Sequence, residues 1–237
     1  CYKPKDGVYK KYDYKYTHAA YTAQILNEDK LVFNLGEETS DNAAMHHNPQ
    51  NEDQWVIAAA DRMASGFERE VFETYNALYD KEHFTKQRLW HLFDEKRRFA
   101  IKTLAPEHIF AMDDEAVGNE YDALWGRFEG EMKAVRAEGS ASVDFFTIDY
   151  LMKKFTSFIP SSTSFKKGEF DAAKANIPLY EHGKSTAVFA AAIHALKEQG
   201  NTHIIDYYRD KSGDNKQEDL LMICGDFFGI QKFIFDS

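Results

Sequence analysis

Apolar residues recur at helical spacing through most of this 237-residue chain, and the longest such pattern runs over residues 52–79. An apolar stripe that returns every three or four positions predicts an amphipathic helix with one buried face. Residues 176–196 carry a second strong pattern, with Pro178 just before the first periodic residue and neither Pro nor Gly inside Ser185–Leu196. Both segments have the boundaries expected of helices, so the sequence predicts a mainly α fold.

Shorter segments extend this pattern. Further helices are predicted over residues 18–26, 124–135 and 146–158. Residues 86–101 mix aromatic and charged side chains and predict either a helix or a hairpin. Loops are predicted where the period is lost or where Gly, Pro and Ser/Thr cluster, over residues 1–16, 34–42 and 159–170.

The character of the chain changes towards its C-terminus. Residues 201–219 are polar and rich in turn formers, which predicts a linker after a helical domain at 1–200. Residues 220–237 begin with a short apolar run and continue through two glycines, which predicts a buried strand, a turn and the start of a helix. The chain opens with Cys1 rather than Met, and both of its ends predict a piece of a larger protein.

Composition excludes some classes of protein. Hydrophobic residues make up 43% and charged residues 29% of the chain, as in globular rather than disordered proteins. The net charge of −10 argues against a free-standing nucleic-acid binder, unless a basic patch or bound metal ions override it. Only two cysteines are present, and neither a signal peptide nor an apolar run of membrane-spanning length is found, which predicts a cytoplasmic protein without a membrane partner.

Four histidines and one aspartate stand out beside alanine-rich sequence: His18, His46, His47, Asp61 and His182. Adjacent histidines at a helix end can both reach one cation, or they can simply be exposed. A carboxylate after three alanines needs either a cation or a partner, because an unpaired buried charge is costly. Arg62 or Arg69 could be that partner, and the other two histidines could be ordinary helix-entrance residues. Taken together, the five suit a helical domain that gathers metal ligands from several helices.

Helical domains with His and Asp ligands from several helices are typical of HD-type metal-dependent phosphohydrolases. Their ligands follow the order H…HD…H…H…D, and their first His lies in a helix similar to "YEHGKSTAVFA" at 180–190. Here that segment comes last, so the order His18, His46-His47, Asp61, His182 resembles a circularly permuted HD domain.

A permuted HD order followed by "ICGDFFGIQKFIF" at 223–235 resembles the Cas-ten large subunits of type III CRISPR effector complexes, most closely the type III-A, Csm-like branch. The other matching segments are "IAAADRMASGFERE" at 57–70, "IPSST" at 159–163 and "PLYEHGKSTAVFAAA" at 178–192. This resemblance implies a permuted HD bundle, followed by the first strand of an α+β, cyclase-like Palm domain.

The family's HD domain is a metal-dependent single-strand DNase that is activated when the complex binds target RNA. The resemblance implies that His46, His47 and Asp61 are catalytic, and that these three together with His18 and His182 bind a divalent Mn, Ni or Co ion. It further implies a phosphate contact for Lys184 and a nucleotide-site role for Asp226, although Lys184 could simply be solvated and Asp226 could cap a turn.

The same resemblance implies several partners. These are single-stranded DNA, crRNA and target RNA, and other Csm-type subunits, especially the small subunit and the subunit that binds the crRNA 5′ end. The family also makes cyclic oligoadenylate from ATP with Mg, through Palm domains that would lie beyond residue 237, since the GGDD signature is absent here.

One feature departs from the family: no adjacent His-Asp pair occurs in the sequence, and we expect that pair upstream of Cys1. Without it, the resemblance predicts weak metal binding and little cleavage. Two alternatives therefore remain open. One is a degenerate HD domain that acts as a scaffold or regulatory module, and the other is an HD phosphohydrolase of small nucleotides, which the segment at 223–235 disfavours.

Overall fold

The computed structural model describes residues 14–27, 37–68, 88–94, 96–113, 120–137, 144–161, 176–210 and 218–223. Within these residues the fold is mainly α, as predicted, with one small antiparallel ribbon. The α-helices are α1 (Thr17–Asn27), α2 (Glu37–Ala44), α3 (Glu52–Glu68), α4 (Glu120–Ala137), α5 (Phe145–Thr156), α6 (Leu179–Glu198) and α7 (His203–Asp210). None of the helices in the described ranges is both long and apolar enough to cross a lipid bilayer.

Local chemistry explains where the central helices begin and end. The Asn51 side-chain oxygen accepts a hydrogen bond from the Gln54 N–H at 2.9 Å, which caps the start of α3. Asp144 caps α5 in the same way, accepting from the Thr147 N–H at 3.0 Å. Helix α6 ends where Gly200 adopts a φ of 82°, a left-handed conformation that glycine reaches without strain.

Helices α3 and α6 pack closely and form one core together with α7. Its fully buried residues are Val56, Ala59, Ala60, Ile193 and Ile205. The alanines permit a close approach of α3 to α6, because a methyl group adds little bulk between two helix backbones. At one end of this contact, Lys197 donates to Asp53 at 2.6 Å.

A second core lies between α4, α5 and the segment around residue 101. Its buried members are Ile101, Leu124, Met132, Leu151 and Phe155. Lys154 of α5 donates to Glu131 of α4 at 2.6 Å, so a polar contact crosses the rim of this core. Helix α5 also reaches α6, since the Tyr180 hydroxyl donates to Asp149 at 3.0 Å.

The sequence predicts either a helix or a hairpin over residues 86–101, and the described part of this segment forms a hairpin. The Phe99 N–H donates to the Leu89 carbonyl at 2.9 Å, and the His91 N–H donates to the Arg97 carbonyl at 3.0 Å. The short strand β1 (Arg97–Arg98) then pairs with β2 (Met112–Asp113).

One segment predicted to be a loop is partly helical, and that prediction was wrong. Residues 37–44, which overlap the predicted loop 34–42, form α2, where Ser40 and Ala44 are buried although the segment is polar. Residues 203–210, within the predicted linker 201–219, form α7, because Ile205 is 1% exposed in the α3–α6 core. Asn201 donates to Asp219 at 2.9 Å, so the end of the predicted linker is also held to the start of α7. The domain boundaries themselves stay predictions.

Some predicted elements lie outside the described residues. These are most of the N-terminal loop, the second half of the helix predicted over 52–79, and most of the predicted Palm segment 220–237. Of that last segment the structure describes residues 220–223, which form neither helix nor strand.

Candidate metal centre

Three imidazoles from two parts of the fold meet at one point. His18 comes from the first turn of α1, and His46 and His47 come from a 3-10 turn, Met45–His47, that directly follows α2. One ring nitrogen from each of the three lies within 4.8 Å of the others. Buried alanines on both helices, among them Ala20 and Ala44, let α1 approach α2 closely enough for these rings to touch.

The 3-10 turn explains how adjacent histidines serve one site. In the tighter turn the rings of His46 and His47 lie 4.1 Å apart, tilted by 45°. The His46 Nδ1–H donates to the Ala43 carbonyl at 2.7 Å, which fixes the ring and leaves Nε2 as an acceptor. A backbone carbonyl at the end of α2 therefore orients this imidazole.

His18 and His47 face each other with their Nε2 atoms 2.7 Å apart. Two imidazole nitrogens at that distance must share either a proton or a cation, because two bare lone pairs would repel. The Tyr16 ring packs against both, at 4.5 Å from His47 and 5.7 Å from His18 between ring centroids. Tyr16 thus holds the pair in place from one side.

Two of the three imidazoles, those of His18 and His47, are held uncharged. Burial lowers the pKa of His18 to about 4, with a further contribution from nearby His46. Burial also lowers the pKa of His47 to about 3, and the neighbouring His46 and His18 add to this effect. Both rings are consequently neutral at pH 7, and neutral imidazole is the form that ligates metal.

The fourth histidine meets the aspartate. His182, in the first turn of α6, lies with its Nε2 3.1 Å from Asp61 Oδ1 on α3, and both side chains are mostly buried. Burial alone would raise the pKa of Asp61, but the hydrogen bond with His182 and the proximity of His46 outweigh it and hold the pKa below its usual value. Among the described residues, the hydrogen-bonding partner of Asp61 is therefore His182 rather than Arg62, and Arg69 lies outside the described residues.

The two groups of side chains form one electrostatic unit. The Asp61 carboxylate opposes the lowering of the pKa of both His18 and His47, which places its charge within range of the three imidazoles. The structure thus brings His18, His46 and His47 to one point and pairs Asp61 with His182 within electrostatic range of them. Their roles as metal ligands and catalytic groups stay predictions.

The two remaining predicted site residues do not join this cluster in the described structure. Lys184 is exposed, and its Nζ lies 5.7 Å from the centroid of the Tyr180 ring. Asp226 lies outside the described residues. The phosphate-binding role of Lys184 and the nucleotide-site role of Asp226 both stay predictions.

Sequence reasoning missed the residues that support the cluster. Tyr16 lies at the end of the predicted N-terminal loop, where nothing in the sequence marks it, and the Ala43 carbonyl carries no side-chain signal at all. The guanidinium carbon of Arg62, whose charge acts on the pKa of His47, lies 5.3 Å from the centroid of the Trp55 ring. Their spacing of seven residues, two turns on one helix face, was the signal that could have found them.

Comparisons with known proteins bear on the family. No protein-family model matches the chain. A curated relative from Methanocaldococcus jannaschii, named CRISPR system single-strand-specific deoxyribonuclease Cas10/Csm1 (subtype III-A), is 26% identical over 268 residues, covering 98% of this chain and 32% of the relative. A relative of the same name from Streptococcus thermophilus is 30% identical over 169 residues, covering 70% of this chain and 20% of the relative.

The chain thus spans about a third of the first relative and a fifth of the second. The first alignment runs over nearly the whole of this chain, including the segments that hold all five clustered side chains. Two relatives with the same name, the mainly α fold and the motifs found in the sequence agree with one another. The chain therefore belongs to the Cas10/Csm1 family of large subunits of subtype III-A CRISPR systems.

Proposed function

We propose that this chain carries the metal-dependent, single-strand-specific deoxyribonuclease centre of a type III-A CRISPR large subunit. The observation that supports this proposal is the meeting of three imidazole nitrogens within 4.8 Å of one another, beside the Asp61–His182 pair. Both relatives are named single-strand-specific deoxyribonucleases, which supports single-stranded DNA as the class of substrate.

The side chains at the centre fit a divalent transition metal. His46 is already oriented by the Ala43 carbonyl, and His18 and His47 are neutral at pH 7 with their Nε2 atoms turned towards each other. Several imidazoles and one carboxylate suit Mn²⁺, Co²⁺ or Ni²⁺ better than Mg²⁺, which prefers oxygen ligands. We therefore propose His18, His46, His47, Asp61 and His182 as the residues that hold the ion.

The chemistry follows from these groups. A divalent cation held here would lower the pKa of a bound water and neutralise charge on the phosphate that is cut. Asp61 supplies the negative charge of the cluster, and its hydrogen bond to His182 fixes which oxygen faces that ring. The His46 ring cannot rotate freely because its Nδ1–H is bound to Ala43. The chain thus contributes a positioned set of ligands.

The same proposal extends to partners in a type III complex. We propose that crRNA, target RNA and other Csm-type subunits act on this domain in the cytoplasm, and that target RNA activates cleavage. Synthesis of cyclic oligoadenylate from ATP and Mg would belong to Palm domains outside this chain.

A direct cleavage assay tests the proposal. The 237-residue chain is incubated with a labelled single-stranded DNA and Mn²⁺, Co²⁺ or Ni²⁺, beside His46→Ala and Asp61→Asn. His194→Ala is the matched control, because His194 is an exposed histidine on α6. Because the His-Asp pair is absent from these residues, we expect weak but detectable cleavage by the wild type and the control, and a loss of at least about tenfold in the two site variants. Equal cleavage by all four proteins would contradict the assignment.

A second candidate function is a scaffold with a degenerate centre. The observation that favours it is the lack of any His-Asp dipeptide in the sequence. Within the described residues, moreover, Asp61 is the one carboxylate that we find beside the histidines. Isothermal titration with Mn²⁺ separates the two candidates: a scaffold predicts no saturable binding, whereas the nuclease predicts binding that His46→Ala weakens.

A further inference from the structure

Arg62 occupies an unusual position beside the candidate centre. It follows Asp61 on α3, and its guanidinium carbon lies 5.3 Å from the Trp55 ring centroid and 6.0 Å from that of Tyr208 on α7. Trp55 and Arg62 are two turns apart on one helix face, so the cation rests between aromatic rings of two helices. Such contacts stabilise a guanidinium and restrict its rotamers.

The same guanidinium has a free hydrogen-bonding atom. Among the described residues, its Nη1 is buried and makes no hydrogen bond. A buried donor without an acceptor is unfavourable, and guanidinium groups keep their charge at any physiological pH. An arrangement that holds the cation and leaves a donor unsatisfied is suited to an acceptor that arrives from outside the chain.

Electrostatic effects place the charge of Arg62 within range of the histidine cluster. The charge of Arg62 contributes to the lowered pKa of His47, and the Tyr16 and Asp61 side chains in turn act on the pKa of Arg62. The Asp61 carboxylate contacts His182 at 3.1 Å, so the adjacent acid is already engaged elsewhere. Arg62 is thus a cation next to the histidine cluster with hydrogen-bonding capacity to spare.

We propose that Arg62 contacts a phosphate of the single strand on which the histidine centre acts, held in place by Trp55 and Tyr208. The proposal rests on the proposed function, which supplies the nucleic-acid strand. A guanidinium can donate two parallel hydrogen bonds to a phosphate, and its prior immobilisation reduces the entropy lost on binding.

Arg209 offers a matched control. Its guanidinium carbon also lies over Trp55, 5.7 Å from the ring centroid, but its Nη1 is 3.5 Å from Asp206 Oδ1. Arg209 therefore shares the aromatic contact and the positive charge with Arg62, while its charge is paired within α7. A purely structural role for stacked arginines predicts similar effects at both positions.

The test measures strand binding and metal binding separately. Fluorescence anisotropy follows a labelled phosphorothioate oligodeoxythymidylate over a salt series, and isothermal titration follows Mn²⁺. We expect Arg62→Gln to weaken oligonucleotide binding by about tenfold or more. Because one phosphate contact is lost, the slope of log K against log salt should also fall by about 0.7. The Mn²⁺ affinity of Arg62→Gln should stay within about twofold of the wild-type value. In Arg209→Gln, the affinities for both Mn²⁺ and the oligonucleotide should stay within about twofold of the wild type.

Arg62→Lys guards against a folding artefact. This variant keeps a cation beside the rings but loses the paired hydrogen-bond donors. We therefore expect the salt slope of the wild type and an oligonucleotide affinity between those of the wild type and Arg62→Gln. Unchanged oligonucleotide affinity and slope in Arg62→Gln would overturn the proposal. It would also be overturned if the losses in both variants matched the fraction of unfolded protein. A wild type that binds oligonucleotide without binding Mn²⁺ would instead refute the metal centre.

Discussion

His182 of α6 lies 3.1 Å from Asp61 of α3, although 121 residues separate them in the sequence. At the other end of the same helix pair, Lys197 lies 2.6 Å from Asp53. From Asp53 to Asp61 the residue numbers rise along α3, whereas their partners fall from Lys197 to His182 along α6, so the two helices are antiparallel. A polar contact lies near each end of α6. The histidine that opens α6 is thereby brought to the centre by packing of alanine-rich faces.

We predict that Asp61 and His182 are energetically coupled. In a double-mutant cycle with Asp61→Asn and His182→Gln, we expect a coupling free energy of about 0.5–1 kcal/mol, low in the usual range because both side chains retain some contact with water. Urea unfolding at pH 7 gives the four free energies. The cycle of Asp61→Asn with Lys197→Met should be additive within about 0.5 kcal/mol, because those residues share no partner. Additivity in the first cycle would show that the contact is incidental.

We predict that the metal-free chain loses stability as the pH falls below about 6.5. Because the folded-state pKa of His18 is about 4 and that of His47 about 3, only the unfolded chain takes up protons between pH 6.5 and those values. The folded state is thus favoured above pH 6.5 and progressively less below it. The lowered pKa of Asp61 extends the loss to lower pH. Urea midpoints from pH 8 to pH 4 measure this, and His47→Gln should flatten the curve while His194→Gln leaves it unchanged.

We predict that Ni²⁺ raises the melting temperature through the histidine cluster. At free Ni²⁺ about 100 times the dissociation constant, binding should stabilise the folded state by about 2.7 kcal/mol, which corresponds to about 5–10 °C for a chain of this length. Differential scanning fluorimetry with and without EDTA measures the shift. His18→Ala and His47→Ala should abolish most of it, and a full shift in either variant would place the bound ion elsewhere.

We predict that α7 contributes to the core. Ile205 is 1% exposed among residues of α3 and α6, so Ile205→Ala should lower the free energy of unfolding by about 2–5 kcal/mol. Tyr207→Ala, at a half-exposed position on the same helix, should cost less than about 1 kcal/mol. Similar small costs at both positions would mean that residues 203–210 behave as a linker after all.

Five of the seven described helices were predictable from the sequence, and two short ones, each eight residues long, were not. Helix α2 has the sequence EETSDNAA, whose polar residues favour a loop locally, and its stability comes from burying Ser40 and Ala44. Helix α7 carries apolar residues at helical spacing, but it spans only about two turns inside a polar, turn-rich segment, so its stripe is too short to stand out. For α2, tertiary packing decides the conformation, and packing partners distant in the sequence leave no local signal.

The candidate site was likewise predictable in part. The types of its side chains were visible in the sequence, but the partner of Asp61 was not, because Arg62 is adjacent and His182 is 121 residues away. The order of motifs in the family linked these positions, whereas periodicity could not. The supporting contacts, such as the Ala43 carbonyl with His46, depend on backbone geometry that residue identity does not encode.

Ala59 and Ala60 are fully buried between α3 and α6, immediately before Asp61. Their methyl groups act as a spacer, and helix axes in contact through such small residues sit near the lower end of the usual separation of about 8–10 Å. That separation fixes how far His182 stands from imidazoles supplied by α1 and the 3-10 turn. Two alanine side chains that do not contact the ion would then influence which ionic radius fits the centre.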